Sequence, residues 1–214
     1  PEKSKDTFEA KTVILALGAY PRELGLPNER NLRGRGVSYC ATCDGMFYRG
    51  KTVAIVGGGN SAAADALLLS RIAKKVIIVH RRDSLRATKV YHEPLMQAEN
   101  VEFLWDSAAV TLEHGQKLTG VRVKNLKSGE EKLLEVDGMF VSIGRKPATE
   151  LVRDQLLLDD AGYVIAGENT ATSIPGVYAV GDVRTKQLRQ IVTAVADGAV
   201  AVHMAEEYLA ENNK

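Results

Sequence analysis

Apolar residues follow two periods along this chain, and the switch between them outlines its architecture. The run Thr12-Val13-Ile14-Leu15-Ala16-Leu17, ended by Gly18, predicts a short buried strand. Residues 19–36, rich in Gly, Pro, Asn and Arg, predict a linker and loop. A β-α-β pattern follows. Residues 51–56 and 75–79 read as strands. Residues 61–72 between them read as a helix, with Ala62, Ala66, Leu69 and Ala73 at helical spacing.

From 101 to 141 the pattern shortens to alternating segments, with hairpin turns at His114-Gly115 and Ser128-Gly129. Val121, Val123, Leu133, Leu134 and Val136 fit a small meander. Residues 139–143 predict another buried strand ending at Gly144, and Arg145-Lys146-Pro147 a second linker. In the tail, residues 177–180 read as a strand running into Gly181-Asp182. Residues 191–209 read as a long helix with Val192, Val195, Ala199 and Val202 on one face. There is no internal repeat and no low-complexity segment.

The glycine turn sits at the first crossover of the β-α-β unit. Gly57-x-Gly59-x-x-Ala62 matches the dinucleotide-binding fingerprint, with Asn60 and Ser61 opening the helix. Glycine permits the tight turn and the approach of a pyrophosphate, and the helix N-terminus offers free N–H groups. The second strand ends in His80-Arg81-Arg82, with Arg86 one helical turn further on. A carboxylate there would hold a ribose 2′-hydroxyl, whereas guanidinium groups pair with a 2′-phosphate. The pattern therefore predicts NADP(H).

Composition narrows the setting. The 214 residues are 45% hydrophobic and 26% charged, with net charge +1. That is ordinary globular composition, with no bulk charge to attract nucleic acid or an anionic membrane. No apolar run approaches the length of a membrane span, and Pro1-Glu2-Lys3-Ser4-Lys5-Asp6 is unlike a signal peptide. The chain has only two cysteines, Cys40 and Cys43, followed by Asp44. Two cysteines three apart make no disulfide framework, so the chain reads as cytoplasmic and the pair as redox-active or metal-binding. A structural zinc site needs about four ligands. The scattered His80, His92, His114 and His203 supply no ligand spacing, so no metal is expected. In the redox reading a thiolate is the nucleophile, and Asp44 is placed to move a proton as the disulfide opens.

These motifs resemble the low-molecular-weight thioredoxin reductases. The matching stretches are Cys40-Ala41-Thr42-Cys43-Asp44-Gly45, Gly57-Gly58-Gly59-Asn60-Ser61-Ala62, His80-Arg81-Arg82-Asp83-Ser84-Leu85-Arg86-Ala87, Gly176-Val177-Tyr178-Ala179-Val180-Gly181-Asp182-Val183 and Arg189-Gln190-Ile191-Val192. The resemblance implies an α/β flavoprotein with two dinucleotide-binding, Rossmann-like domains. A discontinuous FAD domain (residues 1–22 and 144–214) would surround an NADPH domain (residues 23–143) that carries the cysteines. It implies electron flow from NADPH to FAD, to the disulfide and then to thioredoxin, in a homodimer whose NADPH domain rotates on two hinge strands. By resemblance Cys40 is the interchange thiol, Cys43 faces the flavin and Asp44 is the acid–base partner. Arg81, Arg82 and Arg86 hold the 2′-phosphate. Gly181 and Asp182 meet the FAD ribityl chain, and Arg189, Gln190 and Ile191 lie against the flavin.

Three departures stand out. Ala64-Asp65 occupies a position where many members have two acidic residues, and Pro147-Ala148-Thr149 replaces a more usual Pro-Asn-Thr. The family's first FAD half, with its own glycine fingerprint, has no counterpart here. The chain alone is accordingly expected to hold FAD weakly or not at all, as a fragment of an enzyme. Two other readings share these motifs: a reductase serving a peroxiredoxin or a thioredoxin-like partner, and a non-catalytic NADPH-binding module that senses redox state. A homologue fed by ferredoxin in place of NADPH is disfavoured by the intact arginines.

Overall fold

The computed structural model describes residues 7–212. The chain divides into two compact units. One joins the residues up to Tyr20 with those from Arg145 onward; the other runs Pro21–Gly144. In chain order, the first strands are β1 (Val13–Leu15), β2 (Ala19–Pro21) and β3 (Val37–Ser38), followed by the short helix α1 (Ala41–Asp44). Next come β4 (Thr52–Val56), α2 (Asn60–Ser70), β5 (Lys75–Val79) and α3 (His92–Gln97). Then follow β6 (Val101–Leu104), β7 (Ser107–His114), β8 (Leu118–Asn125), β9 (Glu131–Glu135) and β10 (Gly138–Val141). The last elements are β11 (Arg145–Pro147), β12 (Val177–Ala179) and α4 (Ile191–Asn212).

In the Pro21–Gly144 unit, five parallel strands form one sheet in the order β3-β10-β4-β5-β6. Strand side chains alternate between faces, and each face has its own apolar partner. Val53, Ile55, Val76, Ile78 and Phe140 pack against Ala62, Ala63, Ala66 and Leu69 of α2 and Leu95 of α3. Ala54, Val56, Ile77, Val79, Met139 and Val141 pack against Leu112, Leu118, Val121, Val123 and Leu134. Those residues belong to the antiparallel sheet β7-β8-β9. A parallel sheet buried on both faces is the arrangement its uninterrupted apolar strands require.

Two features of this unit differ from the sequence pattern. The segment at Val101 is not part of the meander. It is a fifth parallel strand, pairing Val76 with Val101 and Ile78 with Phe103. The meander begins only after Asp106, which turns the chain with φ 50°. The second is the loop 19–36, which contains the buried carboxylate of Glu29, 2% exposed. It accepts hydrogen bonds from the N–H groups of Leu24 (2.9 Å), Gly25 (2.8 Å) and Leu26 (3.1 Å), and from the Tyr39 hydroxyl (2.7 Å). Burial, and then this bond to Glu29, push the Tyr39 phenol well above its ordinary value. Glu29→Ala strands four donors at once. The expected loss of stability is about 3 kcal/mol, read as a lower urea midpoint at unchanged slope; an unmoved midpoint would contradict this account of the loop.

The other unit is built on the parallel pair β1–β12, with Val13 opposite Val177 and Leu15 opposite Ala179. Strands β2 and β11 form a second two-stranded sheet. A small core gathers Leu156, Val164, Ala166, Ala179 and Val183. Here two expectations are corrected. The first strand is not buried: Val13 is 43% and Ile14 40% exposed, because a two-stranded sheet covers little of either face. The valine face of α4 is not the packed one. Val192, Val195 and Val202 are exposed, while Asp197, Ala201 and Ala205 are buried. Small alanines let the helix lie close to Tyr178 and Val180, a contact that larger side chains would hold apart.

Candidate functional site

The cysteines lie at the edge of the Pro21–Gly144 unit, just after β3. Cys40 is extended (φ −148°, ψ 99°) and caps the four-residue helix α1: its Sγ accepts the Cys43 N–H at 3.1 Å. One helical turn puts positions 40 and 43 on the same side, and the two form a disulfide with Cα atoms 5.3 Å apart. Cys43 is exposed and Cys40 half-buried. Ala41 is buried, and Gly45 lies close to Leu69 and Ile72, which seats α1 on the end of α2. Beyond it Met46 and Phe47 stand 58% and 74% exposed, an apolar rim continuing from the disulfide. The Asp44 carboxylate accepts a hydrogen bond from the Ser38 hydroxyl at 2.7 Å. Burial, and then the Asp44 charge, raise the Tyr48 phenol.

The glycine turn connects β4 to α2, and each of its glycines has a distinct reason. Gly57 has φ 150°, and a Cβ there would come within 2.4 Å of the Ser142 carbonyl oxygen. Gly58 faces the His80 ring, whose atoms would lie 2.3–2.5 Å from an added Cβ. Gly59 caps α2, and among the described residues only the Arg86 guanidinium comes within 4 Å of its Cβ position, at 3.9 Å. The surface over Gly59 is therefore open to a ligand and overlooked by a cation. Asn60, not Ser61, is the first residue of α2, and its side chain accepts the Thr88 N–H at 2.8 Å.

The arginines sit on an irregular loop, not on a helical turn. Arg81, Arg82 and Arg86 are exposed, and the loop is tied back to the turn by Arg86 N–H and Ala87 N–H, which donate to the Gly58 carbonyl at 2.7 and 3.1 Å. His80 is buried at the end of β5. Its imidazole is pushed below its ordinary pKa by burial first and then by the Arg86 charge. Among the described residues its Nε2 has no hydrogen-bond partner. The turn, the free N–H groups opening α2 and three exposed guanidiniums make a donor set that fits a phosphorylated dinucleotide.

In the other unit, Gly181 turns with φ 72° and its N–H donates to Asp197 at 2.8 Å. The Asp182 carboxylate accepts from Arg145 at 3.3 Å. Arg189 lies 3.9 Å over the Tyr163 ring and donates to the Asp182 carbonyl at 3.3 Å. The Gln190 N–H donates to Thr193 Oγ1 at 3.2 Å, and Ile191 is 85% exposed. The Gly181–Asp182 turn and the Arg189 segment are thus tied together.

Several site residues escaped the sequence reading. Gly58 lies inside a recognised motif, but the ring beneath it was not visible. Asp65, noted as a departure, accepts the Ser142 hydroxyl at 2.6 Å. Asp197 pairs with Arg184 at 2.6 Å and Lys186 at 2.8 Å. Burial would raise this carboxyl, but the hydrogen bonds from Arg184, Lys186 and the Gly181 N–H outweigh it and hold it well below the usual carboxylate range. An Asp amid valines and alanines carried no signal of that pairing.

Residues 1–198 match the family model described as pyridine nucleotide-disulphide oxidoreductase. The chain is 46% identical over 209 residues to the thioredoxin reductase of Mycolicibacterium smegmatis, covering 97% of this chain and 67% of that protein. It is 43% identical over 206 residues to the thioredoxin reductase of Listeria monocytogenes, covering 96% and 65%. The solved thioredoxin reductase of Streptococcus pyogenes superposes with a TM-score of 0.88 at 43% identity, over 94% of this chain and 66% of that one. The chain thus spans about two thirds of the length of these relatives. The glycine turn, the cysteine pair and these likenesses agree: the chain belongs to the pyridine nucleotide-disulphide oxidoreductase family.

Proposed function

We propose that this chain carries the NADPH-binding and dithiol parts of an NADPH-dependent thioredoxin reductase. The observation that carries the reading is the presence of the Cys40–Cys43 disulfide and the Gly57–Arg86 cradle in one compact unit. Pro21–Gly144 serves as the NADPH domain, and the residues up to Tyr20 with those from Arg145 onward as part of the FAD domain. FAD, when bound, supplies the two-electron relay between NADPH and the disulfide. Gly181, Asp182, Arg189, Gln190 and Ile191 hold it; Gly57, Gly59, Asn60, Ser61, His80, Arg81, Arg82 and Arg86 hold NADPH. The whole protein works in the cytoplasm as a homodimer.

Cys40 is assigned as the interchange thiol. Its sulfur caps α1 and accepts the Cys43 N–H. Asp44 takes up or returns the proton of the partner thiol. The exposed side chains of Met46 and Phe47, which follow α1, give a thioredoxin surface an apolar seat close to the pair in sequence.

A Cys43→Ser variant leaves Cys40 without its resolving partner. Mixed with thioredoxin that keeps one active-site cysteine, capped with nitrothiobenzoate, it is expected to accumulate as a mixed disulfide through Cys40 as nitrothiobenzoate leaves. Adduct through another residue, or no adduct at all, would contradict the assignment; mass spectrometry of the trapped species decides.

A further inference from the structure

Ser38 is 3% exposed in β3, where its backbone pairs with Phe140 of β10. Its hydroxyl stands between three polar groups. The Cys40 N–H donates to Ser38 Oγ at 3.1 Å. The same Oγ lies 2.7 Å from Asp44 Oδ2 and 3.4 Å from the Cys40 carbonyl oxygen. A hydroxyl has one proton to donate. The nearer and charged acceptor takes it, so the proton goes to Asp44 and a lone pair to the Cys40 N–H. One buried hydroxyl, fixed by the strand ladder, thereby links the backbone at the first cysteine to the carboxylate after the second.

We propose that Ser38 is a positioning residue for thiol–disulfide exchange: it holds the Asp44 carboxylate in one orientation relative to the cysteine pair. The inference rests on the proton-carrying role of Asp44 proposed above. A carboxylate held at one place and angle meets the thiol proton more often than a freely turning one. The Tyr48 phenol, raised by burial and then by the Asp44 charge, stays protonated near neutrality.

The test uses the reduced 214-residue chain and the small aromatic disulfide dithiobis(nitrobenzoate). The Cys40 thiolate attacks one reagent sulfur. The reagent S–S bond breaks and one nitrothiobenzoate leaves with the electron pair. The Cys43 sulfur then attacks the mixed disulfide on Cys40 and its proton passes to Asp44. A second nitrothiobenzoate leaves as the Cys40–Cys43 bond closes. Two protein thiols are oxidised, and one reagent disulfide is reduced to two thiolates.

Ser38→Ala is expected to slow the ring-closing phase about tenfold, the size of one hydrogen bond to a charged group. Ser38→Thr retains the wild-type rate. Asp44→Asn is slow by itself, and adding Ser38→Ala to it slows the reaction no further. NADPH affinity, a property of the same unit, reports that the variants are folded. A wild-type rate for Ser38→Ala overturns the proposal, as does a full additional tenfold loss on Asp44→Asn. If Ser38→Ala loses NADPH binding, Thr and Val at position 38 decide, since they differ only by the hydroxyl: a slow Val variant beside a fast Thr variant supports the proposal, and equal rates overturn it. The reagent is not thioredoxin, so failure of the thioredoxin reading would appear in the trapping experiment and not here.

Discussion

Cys40→Ser is expected to abolish the passage of reducing equivalents from the reduced chain to thioredoxin, a fall of about a thousandfold or more. A serine hydroxyl is not ionised near neutrality and forms no disulfide, so neither attack nor ring closure remains. Cys43 keeps its thiol but loses the sulfur with which it closes the 5.3 Å Cα span. NADPH affinity should be unchanged, because the glycine turn lies on β4 and α2 and owes nothing to the Cys40 sulfur. Thioredoxin reduction that survives in Cys40→Ser would remove the pair from the electron path. The experiment is a thiol titration on thioredoxin after separation from the chain.

The second large effect concerns the choice of nucleotide. Arg81, Arg82 and Arg86 are exposed and carried by a loop anchored to Gly58 through two backbone hydrogen bonds. Alanine at any one of them is expected to weaken NADPH binding about tenfold, near the lower end for a hydrogen bond to a charged group because solvent screens the pair. The triple variant should lose most of the discrimination between NADPH and NADH, while NADH affinity stays nearly constant. Raising the salt should weaken NADPH binding more than NADH binding, since only the 2′-phosphate contact is so strongly electrostatic. Fluorescence titration of both nucleotides checks this. Equal affinity of the unaltered chain for NADPH and NADH would contradict the 2′-phosphate assignment.

Where the sequence was readable, it was readable for physical reasons. Strands β4 and β5 are buried on both faces, so they stand out as unbroken apolar runs beside a glycine turn. The hairpins of the meander carry their turns in plain view at Gly115 and Gly129. What escaped was burial decided by partners distant in sequence. On α4 the valines outrank the alanines in hydrophobicity, yet Ala201 and Ala205 are the residues that fit against β12. Asp197 is buried beneath them only because two cations and a backbone N–H meet it. Strand β6 was absorbed into the meander because no turn residue other than Asp106 separates it from β7. Glu29 lay in a stretch legible only as loop, and Ser38 carried no signal of its own; each is a buried hydrogen-bonding hub. Motifs announce chemistry through residue type and spacing, whereas the residues that orient that chemistry are defined only by the packed chain.

The account turns on one transfer. The chain, reduced with a dithiol, freed of it and mixed in excess with oxidised thioredoxin, is expected to regain its Cys40–Cys43 disulfide while thiols appear on thioredoxin. Thioredoxin that stays oxidised at equilibrium, beside a chain that keeps both its thiols, would contradict it.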